Sequence, residues 1–285
     1  MARLIHLTPS LQIIVDADGS PHWFDYDPSA GVGAGVCERS AQDDAVVEAA
    51  WGARPPIVAR VSEGKWARLV DEEELARLAA QVGGEVVALR SMLVDDHPDL
   101  LAAAGYVKNQ QLHRFHPADG TPLTFDEQGH VGTSARGAAF FPRLDPAVIG
   151  LVECRGRILL GRNALRPDYF SLIAGYVSPG ETLEAAFARE VLEETGRRVR
   201  GVRYVGSQPW PASGALMLGM YGLTDDWEAV AATDGELVET RWASREEIVA
   251  GGLPLSPQGS IARTLIEFWT HKTEDFLPQK SLFDS

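Results

Sequence analysis

Gly175 to Arg197 reads GYVSPGETLEAAFAREVLEETGR, and the rest of the chain is organised around it. Pro179 and Gly180 break the preceding segment. Leu183 to Thr195 is rich in Ala, Leu and Glu and ends against Gly196, so it is expected to be a helix with a glycine stop. Leu183, Phe187 and Val191 recur at i, i+4 and i+8 and must face the core. At ~100° per residue, Glu194 falls between Leu183 and Phe187, and Glu190 lies about 20° outside Leu183. Two carboxylates therefore point along the buried side, with Glu193 on its flank.

A solvated acidic face would put the acids opposite Leu183 and Phe187, yet Ala185, Ala188 and Leu192 occupy that side. Carboxylates beside an apolar stripe repel each other and lose hydration, so a cation must compensate. Arg189 alone cannot neutralise Glu190, Glu193 and Glu194. Hard divalent cations, Mg²⁺ or Mn²⁺, suit such oxygen clusters and keep substrate phosphates as further ligands. The expected partner is such a metal.

The bulk of the chain narrows the class. Its 285 residues can hold two modest domains and bury a sizeable core. The net charge of −14 is spread along the sequence, which gives no diffuse attraction to nucleic acid or an anionic membrane. Cys37 and Cys154, far apart, read as free thiols in a reducing compartment. The N-terminal MARLIHLTPSLQIIVDADG is too interrupted for a signal peptide, and no segment approaches the ~20 apolar residues of a membrane span. A cytoplasmic location is the expectation.

The stretch resembles the Nudix box, G-x5-E-x7-R-E-U-x-E-E-x-G-U with U a bulky apolar residue. Gly175, Glu181, Arg189, Glu190, Val191, Glu193, Glu194 and Gly196 match it, and Arg197 stands where an apolar residue is usual. Downstream, SQPWP at Ser207 to Pro211 resembles an element of the NAD(H) pyrophosphatase branch. FPRLDPAVI at Phe141 to Ile149, LMLG at Leu216 to Gly219 and ARTLIEFW at Ala262 to Trp269 reinforce it.

The resemblance implies an α/β (α+β) fold with a C-terminal Nudix α/β/α sandwich over residues 141–272. A smaller mixed α/β N-terminal domain would span 1–112, and a polar tail 273–285. Between them, 113–140 would be a degenerate zinc-ribbon-like linker. The branch's four zinc cysteines align with His116, Asp119, Thr133 and Arg136, which cannot close a structural zinc site. An Asp119–Arg136 ion pair is expected to replace that clamp. The glycine-rich AGVGAGV at Ala30 to Val36 lacks full G-x-G-x-x-G spacing and reads as a turn.

The implied reaction is metal-dependent hydrolysis of the pyrophosphate of NADH or NAD⁺, giving AMP and nicotinamide mononucleotide, with NADH preferred. Glu190 and Glu194, with Glu236 from a later loop and the Ala174 carbonyl, would hold Mg²⁺ or Mn²⁺. Glu193 would be a further ligand or the general base, Arg189 would orient the glutamates, and Glu181 would brace the loop. Tyr176 and Trp210 would hold the nicotinamide ring. Phe141, Gln208, Met217 and Ala262 would also touch the dinucleotide. So would the loop of Pro209, Pro211, Ala212, Ser213, Gly214 and Ala215, in which Ala212 and Ala215 replace the usual Phe and Ser. The branch is homodimeric. Rival readings are hydrolysis of ADP-ribose or another nucleoside diphosphate derivative, removal of NAD caps from RNA 5′ ends, and a silent nucleotide-binding module.

Overall fold

The computed structural model describes residues 2–28, 56–92 and 97–271. The turn expected at 30–36, Cys37, the strand or short helix that the sequence suggests at 45–51, and the tail 273–285 lie outside the described residues. The described chain divides into two compact units, one from residues 1–143 with Pro211–Gly214, the other from 144–210 and 215–285.

The first unit contains β1 (Ala2–Leu7), β2 (Gln12–Val15), β3 (Phe24–Tyr26), β4 (Val58–Ser62) and β5 (Lys65–Leu69). Helix α1 (Glu72–Val82), β6 (Glu85–Ala88) and helix α2 (Pro98–Leu112) follow. One sheet runs β3-β1-β5-β4 and β2 pairs with β6. Asp71 caps α1 through its Oδ1 to the Glu74 N–H at 2.6 Å, and acids fill the first turn as the helix dipole favours. The sequence over Val86–Val94 reads as a strand, but β6 stops at Ala88 and the chain becomes a 3₁₀ turn at Leu89–Met92. Its partner β2 begins at Gln12, opposite Ala88, so no ladder remains beyond that point.

The expected ribbon-like stretch lies in the first unit and carries a small sheet of β7 (Leu123–Phe125), β8 (Gly132–Ser134) and β9 (Ala139–Phe140). The expected Asp119–Arg136 pair does not form. Asp119 Oδ1 instead accepts the Thr121 N–H at 2.9 Å and the Thr121 hydroxyl at 2.8 Å. These bonds, with one from Ser134, hold its carboxyl down to about 2. Thr121 Oγ1 accepts the Ala135 N–H at 3.1 Å, and Ser134 Oγ accepts those of Arg136 and Ala138. A hydroxyl lattice of short reach thus joins the two turns, and Arg136 takes part only through its backbone.

The second unit is an α/β/α sandwich. Its strands are β10 (Asp145–Cys154), β11 (Arg157–Asn163), β12 (Ile173–Tyr176), β13 (Arg200–Trp210), β14 (Ala215–Leu223) and β15 (Leu237–Ala243). They run β13-β14-β10-β11-β15, with β12 paired to the first half of β10. Helix α3 (Leu183–Thr195) covers one face, where Phe187 and Val191 are fully buried against Val148, Leu159 and Ile173. After the short α4 (Arg245–Val249), α5 (Ile261–His271) covers the other face with Leu265, Ile266 and Trp269. The sequence over Tyr169–Ala174 reads as a strand, but β12 starts only at Ile173, where β10 supplies partners. Phe170 gives its N–H to Pro254 instead. SQPWP is ladder rather than loop through Trp210, paired with Ala215–Leu218. Among the described residues no helix is long and apolar enough to cross a membrane.

Candidate active site

The helix α3 is fixed at both ends. Thr182 caps its N-terminus by accepting the Ala185 N–H at 3.2 Å, and Gly196 closes its C-terminus in the left-handed region at φ 67°. A Cβ on Gly196 would stand 2.3 Å from the Ala231 carbonyl oxygen, so the position takes glycine for space as well as for dihedral.

Arg189 is the hub of the acidic stretch. Its guanidinium donates to Glu181 through Nε and Nη2 at 2.7 and 2.9 Å, and to Glu190 and Glu193 through Nη1 at 2.7 and 2.8 Å. Nη2 also donates to the Tyr176 carbonyl at 3.0 Å, which ties the helix to β12. The bidentate bond holds the Glu181 carboxyl down to about 2, helped by the Ser178 N–H. Glu181 therefore braces the loop between β12 and α3.

Glu190 and Glu194 reach inward. The Glu190 carboxylate lies on Gly175, where a Cβ would come within 1.9 Å of its Cδ and 2.2 Å of both oxygens. Burial raises its pKa, against the pull of Arg189. Glu194 is 6% exposed, and its carboxyl is pushed up to about 8 by burial, then by Glu190, Glu236 and Asp234. Both Glu236 and Asp234 arrive on the segment after β14. The Gly196 carbonyl accepts the N–H groups of Val230 (2.8 Å) and Ala231 (3.2 Å), and the Glu193 carbonyl that of Asp234 (2.9 Å). Asp234 Oδ1 accepts the Glu236 N–H at 2.9 Å. Asp234 is absent from the sequence reading. Its signal is the Asp-Gly turn immediately before Glu236.

A hard divalent cation fits this donor set, since the groups around Glu194 are all carboxylate oxygens and the inner one is desolvated. Among the described residues, however, no three His, Cys, Asp or Glu side chains converge as a metal cluster. Glu181, Glu190 and Glu193 each turn an oxygen to Arg189, not to a common centre.

Strand β12 connects this site to the other face of the sheet. Alternate residues point to opposite sides, so Gly175 meets Glu190 while Ala174 packs with the α5 side. Tyr176 stands opposite Ala147, Ala147 opposite Met217, and Met217 opposite Gln208, in one cross-strand row. Tyr176 is 54% exposed. Trp210 ends β13 two residues beyond Gln208 and is half-buried, and Ala262 is buried at the start of α5. The Gln208 amide is committed internally, donating to the Gly259 carbonyl and accepting the Ile261 N–H, both at 2.7 Å. Ala215 and Pro211 are buried, whereas Pro209, Ala212 and Ser213 are exposed and Gly214 is intermediate. Phe141, 66% exposed, and Pro211–Gly214 belong to the first unit, where Lys108 donates to the Ala212 carbonyl.

Comparison with known proteins supplies the family. Residues 142–264 match the NUDIX domain. The chain is 37% identical over 218 residues to a Mycobacterium bovis protein named NAD-capped RNA hydrolase NudC, covering 71% of this chain and 66% of that protein's length. A protein of the same name from Stutzerimonas stutzeri is 34% identical over 197 residues, covering 66% of this chain and 68% of its own. Among solved structures, a NUDIX hydrolase from Nitrosomonas europaea is similar at 26% identity and a TM-score of 0.37, covering 44% of this chain and 87% of that one. With the box residues on α3 and the loop before it, the NUDIX domain match and the two NudC relatives mean that the chain belongs to the Nudix hydrolase family, in the branch of the NudC proteins.

Proposed function

We propose that the protein hydrolyses the pyrophosphate bond of NAD(H), releasing AMP and nicotinamide mononucleotide, with Mg²⁺ or Mn²⁺ as cofactor. One observation carries the reading. Glu190 packs on Gly175, and the next residue, Tyr176, presents an exposed ring on the opposite face of the same short strand. An acidic centre for phosphates and an aromatic surface for a flat heterocycle are thus one residue apart. The names of the relatives support an NAD-type substrate.

Glu190, Glu194 and Glu236, with the Ala174 carbonyl, would hold the cation, which when bound neutralises phosphate charge and acidifies water. Arg189 holds Glu190 and Glu193 in place from the loop side. Glu193, half-exposed and anchored at one oxygen only, has its other oxygen available as a base or a ligand. Tyr176 and Trp210 flank the row of Met217 and Gln208 as a stacking surface for the nicotinamide, and Ala262 bounds it. Gln208 acts through its hold on Gly259 and Ile261. Residues 113–140 serve as a metal-free ribbon, and the active species is a homodimer in a cytoplasmic setting.

NAD-capped RNA is the second reading, favoured by the relatives' names. The net charge of −14 offers it no long-range attraction. Product analysis with Mg²⁺ or Mn²⁺ on NADH, NAD⁺, ADP-ribose and an NAD-capped RNA, each at matched concentration, tests both. AMP formed fastest from NADH is the expected result. Preference for capped RNA moves the second reading forward, preference for ADP-ribose removes the nicotinamide assignment, and no turnover of any of them removes the hydrolase reading.

A further inference from the structure

We infer that Arg197 is a positioning residue for the acidic site, pinning the segment Asp225–Glu236 to the end of α3 and so setting where Asp234 and Glu236 stand relative to Glu194. The inference rests on the function proposed above for that site.

Arg197 is the single departure from the box pattern, a guanidinium in an apolar slot, and it is only 6% exposed. Burying a charge is costly unless it is well bonded, so a buried Arg in place of an apolar side chain marks a role that needs its donors. Its Nη1 donates to the Thr195 carbonyl at 2.9 Å, inside the last turn of α3, where a cation also suits the helix dipole. Its Nε donates to the Trp227 carbonyl at 3.1 Å. The same guanidinium lies over the Trp242 ring at 5.6 Å from its centroid, and Trp242 Nε1 donates to the Trp227 carbonyl at 3.0 Å. The Trp227 and Trp242 rings stack at 5.0 Å and 13°, with Arg155 over the outer face of Trp227 at 5.3 Å.

Trp227 is thereby held by backbone and ring together, and it opens the run that continues to the acidic site. Three residues on, the chain bonds the Gly196 carbonyl through Val230 and Ala231, then the Glu193 carbonyl through Asp234. Glu236 hangs from Asp234 by its N–H, and its own carbonyl accepts the Ala164 N–H at 3.1 Å. Arg198 and Arg200 pair with Asp226 and Asp225 at the exposed start of the segment, Arg197 is the buried side-chain anchor at Trp227, and the helix-end carbonyls are the backbone anchors. An apolar residue at 197 would fill the slot and leave the Trp227 carbonyl with Trp242 alone.

The test compares wild type with Arg197→Met and Arg197→Lys, using hydrogen exchange of the Val230, Ala231 and Asp234 amides and Mn²⁺ affinity by calorimetry or electron paramagnetic resonance. Residues that orient metal ligands typically set affinity by about 10–100-fold, so the Met variant should bind Mn²⁺ about tenfold or more weakly. Its three amides should exchange about tenfold faster, while kcat at saturating Mn²⁺ stays within about threefold of wild type. The Lys variant keeps the charge but loses the fork to two carbonyls, and should fall between the two. It decides the matter if the Met variant fails to fold. Unchanged exchange overturns the inference, and so does faster exchange with unchanged Mn²⁺ affinity. Wild-type protein that takes up no Mn²⁺ defeats the underlying functional reading, and the exchange comparison still judges the role of Arg197.

Discussion

Gly175→Ala is the sharpest probe of the proposed acidic centre. The backbone at 175 is ordinary extended strand, so alanine meets no dihedral penalty there. The new Cβ would stand 1.9 Å from Glu190 Cδ, whereas ordinary contact begins at 3.4 Å. The carboxyl group must therefore retreat by about 1.5 Å, the difference between those two distances. It is the far end of a flexible side chain, so the fold absorbs the change and the melting temperature should move by a few degrees at most. Catalysis is less forgiving: a misplacement of about 1 Å can cost about 100-fold, or about 2.7 kcal/mol of barrier. We expect kcat/KM for AMP release from NADH with Mn²⁺ to fall by about that factor. The reasoning also demands that Gly175 act through Glu190, so the same change made on a Glu190→Gln background should cost almost nothing more. A Gly175→Ala enzyme within about threefold of wild type, or a further tenfold loss on the Gln background, would refute it.

Three more outcomes follow from the same geometry. Glu194→Gln should lower kcat by orders of magnitude while leaving the melting temperature equal or higher, because it replaces a buried carboxylate crowded by Glu190, Glu236 and Asp234; thermal melts beside turnover assays check both halves. His6 is 5% exposed, and burial, with Arg68 and His22, lowers its pKa from 6.5 to about 4. Its folded value is depressed, so the stability it contributes is full above pH 6.5 and is lost as pH falls towards 4; urea unfolding should lose about 3 kcal/mol across that window, and His6→Leu should flatten the loss. Purified protein should contain no stoichiometric zinc, and Asp119→Ala should destabilise the first unit without changing metal content; zinc at one per chain by elemental analysis would overturn the hydroxyl-lattice account of the ribbon.

Much of the second unit is legible in the sequence because its signals are local. Pro179, Gly180 and Gly196 bracket α3, and the apolar spacing of Leu183, Phe187 and Val191 marks its buried face, so the helix, its orientation and the inward reach of Glu194 are all readable. Likewise the sequence alone reads as helix over Pro98–Leu112 and Ile261–His271 and as strand over Leu237–Ala243, the bounds of α2, α5 and β15, since their periodicity and flanking breakers do not depend on distant partners. The strands β1, β3 and β5 escape the reading for the opposite reason. ARLIHL becomes a strand because β5 lies parallel to it, with Leu4 beside Trp66 and His6 beside Arg68, and nothing within six residues announces that pairing. Strand β12 begins late for the same cause.

The sequence by itself determined the family, the acidic helix and the residue types of the proposed site, because a box of fixed spacing on one helical turn after another is a local pattern. Only the tertiary structure decided how those residues are used. It turned Glu181, Glu190 and Glu193 to Arg189, committed Gln208 to the entry of α5, and gave the ribbon a Thr121–Ser134 lattice in place of the expected ion pair. It also brought Asp234 beside Glu194 and buried Arg197 under Trp242. Each of these depends on which atoms come within about 3 Å across loops far apart in the chain, and hydrogen-bond partners at that range are chosen by geometry that spacing in one dimension does not encode.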